Sequence, residues 1–75
     1  MTKEAAENLS IAALTEPEFR NMILEGNLTE EEIMARHEGA EFPDAMAILA
    51  AVLNGKTLTD IRISLERYLR QRYEG

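Results

Sequence analysis

The run Ala45–Gly55, AMAILAAVLNG, contains no charged residue in a chain of which 29% is Asp, Glu, Lys or Arg. At helical spacing it carries two adjacent apolar seams, Met46, Leu49 and Leu53 on one and Ala45, Ile48 and Val52 on the other. A surface helix shows one apolar stripe, whereas a helix that is apolar nearly all round has to be covered on most sides. Pro43 suits a first helical turn, Asp44 the positive end of the helix dipole, and Asn54-Gly55 a left-handed stop. These features predict an all-α fold, a small bundle of four or five short helices around a buried central helix at about residues 43–53. Residues 1–75 are expected to form one domain.

Length bounds the core. A chain of 75 residues sits near break-even between apolar burial and chain entropy, and usually needs idealised packing, staples or a partner. There is no cysteine, which removes disulfides, thiol nucleophiles and thiolate metal sites and suits a cytoplasmic setting. The net charge of −6 disfavours nucleic acid and anionic membranes as partners. Residues 1–55 hold eleven acids and three bases, and residues 56–75 five bases and three acids, giving an acidic body with a mildly basic tail. The uncharged run is far shorter than the roughly 20 residues needed to cross a bilayer, and MTKEAAEN has no signal-like apolar core.

Local signals mark the other helices. Thr2–Leu14 has Ala5, Ala6, Leu9 and Ala13 on one side, and Ser10 offers a later start for a shorter helix. Thr15-Glu16-Pro17-Glu18 has the pattern of a capping box leading to Phe19, Met22 and Ile23, with Gly26 as the stop. Leu28-Thr29-Glu30-Glu31-Glu32-Ile33 repeats the box with a hydrophobic staple, starting a helix expected to reach about His37 before Gly39. Phe42 is expected to plug the core. Thr57 and Thr59 both fit the cap of a last and longest helix running to about Tyr73, with Leu58, Ile61, Leu65, Tyr68 and Leu69 as its inner stripe. Nothing alternates at period two, so no sheet is expected.

Catalytic chemistry is not expected. His37 is the only histidine, without the ligand set of a zinc site or the orienting carboxylate of a general base, and its place near a helix end suits the dipole. Glu30-Glu31-Glu32 has a structural role as a first turn, and no calcium-loop spacing or phosphate-cradling glycine pattern occurs. No metal and no cofactor is therefore expected. A helix-turn-helix reading is the alternative: Ala45–Leu53 and Thr57–Arg72 flank a turn containing Asn54-Gly55, and the second helix carries Arg62, Arg67, Arg70 and Arg72. The acidic field of the body opposes it, and arginines late in a helix are expected for dipole reasons alone.

Leu14–Glu32, LTEPEFRNMILEGNLTEEE, loosely resembles the helical leader regions of some ribosomally made, post-translationally modified bacterial peptides. The likeness covers about a quarter of the chain and is made largely of ordinary capping signals. Such precursors end in a modifiable segment, whereas this chain ends in an arginine-rich amphipathic helix. The resemblance therefore does not extend to membership.

The sequence thus points to a non-catalytic protein–protein interaction module, a small acidic inhibitor, adaptor or accessory subunit of the kind bacteria and their phages use as regulators. Its partner is expected to be another protein, and a second copy of the chain would supply the cover its central helix needs. The candidate contact residues are Ile63, Arg67 and Arg70, which fall together outside the inner stripe of the last helix. Against this stands the reading that Ile63 is one scattered apolar surface residue, or packs on the first helix.

Overall fold

The computed structural model describes residues 2–75, and Met1 lies outside the described part. Five helices follow one another: α1 (Thr2–Thr15), α2 (Pro17–Leu24), α3 (Glu30–Met34), α4 (Phe42–Asn54) and α5 (Leu58–Tyr73). There is no strand among the described residues. The all-α bundle holds as expected, and α4 is the central element, packing on each of the other four helices.

α1 runs unbroken through Ser10, whose buried hydroxyl donates to the Ala6 carbonyl at 2.9 Å, so the shorter-helix alternative falls away. Thr15 does not cap α2. Its hydroxyl turns back to the Ile11 carbonyl at 2.8 Å, and Glu16 takes the cap position without a side-chain bond. The cause is Pro17: a residue before proline is pushed out of the helical region, and Glu16 is extended at φ −112°, ψ 96°. Arg20 reaches from α2 to the orphan Ala13 carbonyl of α1 at 2.8 Å and holds the corner. α2 ends at Gly26, whose φ of 75° allows the Gly26 and Asn27 amides to bond back to Ile23 and Met22 at 3.0 and 2.9 Å.

Thr29 and Glu32 form the expected capping box on α3. That helix stops at Met34 rather than His37, because the Arg36 and His37 amides bond three residues back, to Ile33 and Met34, in tightening turns. Arg36 then lies over the Phe19 ring, 4.3 Å from its centroid, pinning the loop to α2. Thr57, not Thr59, caps α5 and shares a box with Asp60. Gly55 is needed for space and not for handedness, in contrast to the expected left-handed stop: its φ is −80°. A Cβ there would come within 2.6 Å of Ile61 Cγ1 and 2.7 Å of the Ala51 carbonyl oxygen.

The core gathers Leu9, Phe19, Ile23, Ile33, Ile48, Val52, Ile61 and Leu65, with alanines filling the narrow places. Of the two seams on α4, only the one with Ala45, Ile48 and Val52 is fully buried, and Leu49 is partly covered. Phe42 and Leu53 are 55% and 57% exposed, and Leu58 at the start of α5 is half exposed. Phe42 is therefore no core plug. Four short helices cover one side of α4 and leave the other open.

The buried and open seams make opposite demands on mutation. Ile48→Ala and Leu9→Ala should each cost about 2–5 kcal/mol in chemical denaturation, whereas Leu53→Ala should cost under about 1 kcal/mol. Gly55→Ala should destabilise by about 1–3 kcal/mol, because the backbone carbonyl of Ala51 cannot yield as a side chain could.

Candidate interaction surface

α4 begins with a polar cluster that the sequence does not announce. Asp44, its third residue, is almost fully buried. One carboxylate oxygen accepts the Glu41 amide at 2.8 Å, which satisfies an otherwise orphan donor at the helix start. The other accepts the hydroxyls of Tyr68 and Tyr73, the latter at 2.7 Å. Arg72 closes the group by an ion pair with Glu41 at 2.9 Å. Burial first, and the adjoining Asp44 carboxylate second, raise the pKa of both tyrosines above the ordinary phenol value. With one oxygen on two tyrosine hydroxyls and the other on the Glu41 amide, the buried carboxylate is a clasp that ties the end of α5 to the start of α4.

The clasp fixes which face of α4 looks outward. Phe42, Met46, Leu49 and Leu53 recur at spacings of four, three and four, and fall within about 60° of one another at about 100° per residue. Met46 is 43% exposed, between the more exposed Phe42 and Leu53. Ala50 and Asn54 extend the open arc towards α5, and no residue on it is charged. Beside this ridge, Ala47, Ala50, Ala51, Asn54, Ser64 and Tyr68 line an open groove of about 320 Å³ between α4 and α5. A second groove of about 200 Å³ separates α1 from α5, and Glu7, Arg62 and Glu66 are among the residues that line it.

Ile63, Arg67 and Arg70 are all exposed on the outer face of α5, one and two turns apart, and Ile63 is 45% accessible. Neither Arg67 nor Arg70 makes an ion pair among the described residues. The four arginines of α5 do not share a face: Arg72 is held by Glu41, and Arg62 lies at the α1 groove. His37 is half-buried in the loop beyond α3. Among the described residues no three His, Asp or Glu side chains are placed to share a metal ion, and no helix is long and apolar enough to cross a membrane.

Met46 and Leu53 lie open on α4, so the expected buried central helix is covered on one side only. The signal for this in the sequence is arithmetic: two full seams on α4 ask for more cover than the other helices of one small chain provide, which is the reason a second copy is expected. Comparison with family models, with curated proteins and with solved structures gives no match.

The clasp makes its own prediction. Asp44→Ala strips the acceptor from two hydroxyls and one amide, and should cost about 2–4 kcal/mol, against about 1 kcal/mol for Tyr73→Phe. Both tyrosines have a pKa raised by folding, so their contribution is complete below the unfolded phenol value and is lost as pH rises beyond it. Denaturation midpoints should therefore be flat through neutral pH and fall above about pH 10, and Tyr68→Phe/Tyr73→Phe should flatten that alkaline fall.

Proposed function

We propose that this chain is a non-catalytic protein-binding module that acts by covering a surface on another protein, as an inhibitor, adaptor or accessory subunit does. One observation carries the reading: the outward face of α4 exposes Phe42, Met46 and Leu53 in a single stripe without a charged residue. A contiguous apolar patch on a small chain marks an interaction site far better than a scattered leucine does. Phenylalanine and methionine are also residues enriched at interface centres. The exposed Ile63 with Arg67 and Arg70 forms a second, mixed face on α5, suited to a carboxylate-bearing partner surface. A cytoplasmic setting fits a chain without cysteine.

The alternative, a helix-turn-helix reader using α5, draws support from the free Arg67 and Arg70. Two experiments separate the readings. On immobilised heparin at about 0.15 M salt the protein should flow through, and retention abolished by Arg67→Glu/Arg70→Glu would favour nucleic acid. A photo-reactive amino acid in place of Met46 should capture a protein in cells that make the chain, while the same probe at the exposed Asn21 of α2 should not. Absence of any protein adduct at position 46 and at position 63 would overturn the proposal.

A further inference from the structure

We infer that the occupant of the α4 ridge is a second copy of this chain, docked antiparallel about a two-fold axis that passes between Ala47 and Ile48. The inference rests on the protein-binding reading above and names its partner. The ridge is its own reverse: Phe42, Met46, Leu49 and Leu53 are spaced four, three and four, so reversal about their midpoint sets Phe42 against the second copy's Leu53 and Met46 against its Leu49. A two-fold interface requires such self-complementarity, since each residue meets its mirror position on an identical surface.

Relief on the surface agrees with this. The ridge stands next to the groove between α4 and α5, whose α4 wall consists of Ala47, Ala50, Ala51 and Asn54. With the axis through the ridge, the large side chains of the two copies interdigitate along the seam, and the alanine-lined flank lets the helices approach closely. Charge agrees as well. The ridge is uncharged, Glu41 lies just before α4, and Lys56 just after it. Reversal sets the two helix dipoles head to tail, and Glu41, already paired with Arg72 of its own chain, adds no unbalanced charge to the seam.

Area sets the strength. α4 is about 20 Å long, and with the adjoining flank of α5 the face is two helices wide, a footprint of roughly 400 Å² before side-chain relief is counted. Specific interfaces bury about 600–1,000 Å² per partner, so a face below that range suits only a weak, transient association that fills at high concentration.

Sedimentation equilibrium of the full chain over about 1–500 µM tests this, with Leu53→Glu in parallel. The wild-type mass should rise from 8.5 kDa towards about twice that value, and Leu53→Glu should remain at 8.5 kDa with unchanged helical circular dichroism. Because the chain has no cysteine of its own, Met46→Cys gives a single reactive site. A short bis-maleimide should join two such chains, and should not join two chains carrying Ile63→Cys. If Leu53→Glu fails to fold, the cross-linking pair decides alone. A wild-type mass fixed at 8.5 kDa throughout would overturn the inference. So would a dimer that survives Leu53→Glu, or one that cross-links through position 63 and not 46. A monomer that still yields a foreign protein adduct at position 46 would end the two-fold pairing and leave the protein-binding reading in place.

Discussion

The structure depends on one narrow arc of α4, where Asp44, Ala45, Ile48, Ala51 and Val52 are buried together. Two of the five are alanines, and their lack of bulk lets neighbouring helices come close enough to touch α4 from several directions. The same economy runs through α1, which buries Ala5, Ala6, Ala12 and Ala13 around the single large side chain of Leu9. Alanine costs little side-chain entropy on burial but removes little apolar area from water. Dispersion contacts and polar fastenings at the helix ends therefore carry more of the stability than in a leucine-rich bundle.

Those fastenings are distributed with some regularity. Arg20 holds the α1–α2 corner, Arg36 holds the α3 loop to Phe19, and Asp44 with Tyr68 and Tyr73 holds the last turns of α5 to the first of α4. Three of the eight bases, Arg20, Arg36 and Arg72, make contacts that fasten the fold. On the final helix Arg72 is paired with Glu41, while Arg62, Arg67 and Arg70 are exposed and make no ion pair among the described residues.

What could be read from the sequence was local. The Thr29–Glu32 box, the Gly26 stop and the extent of α5 follow from residues within one turn of each other, and all three stand in the structure. Ile63 could also be placed outward, because helical periodicity alone fixes it relative to Ile61 and Leu65. The failures have non-local causes or competing local ones. Nothing near Asp44 in sequence indicates that its partners lie 24 and 29 residues away, and a lone aspartate at a helix start has a sufficient explanation in the dipole. Thr15 lost the cap to Glu16 because proline stereochemistry overrides a capping pattern. Gly55 was correctly a special position for a reason the sequence hides, the approach of Ile61.

The open ridge and the clasp are linked. By tying α5 down at Asp44, the tyrosines commit α5 to one flank of α4, and α1, α2 and α3 take up the rest of the buried arc. No helix then remains for Phe42, Met46 and Leu53. Covering them within the chain would require a sixth element, whereas covering them with a second surface requires only that the face be free of charge, which it is. An acidic chain gains from this arrangement. Its net charge keeps non-specific contacts weak everywhere except on the one face where no carboxylate has to be desolvated. The central helix thus has two unlike faces, with Ile48 and Val52 holding the fold and Met46 and Leu53, two and one residues away, open to solvent.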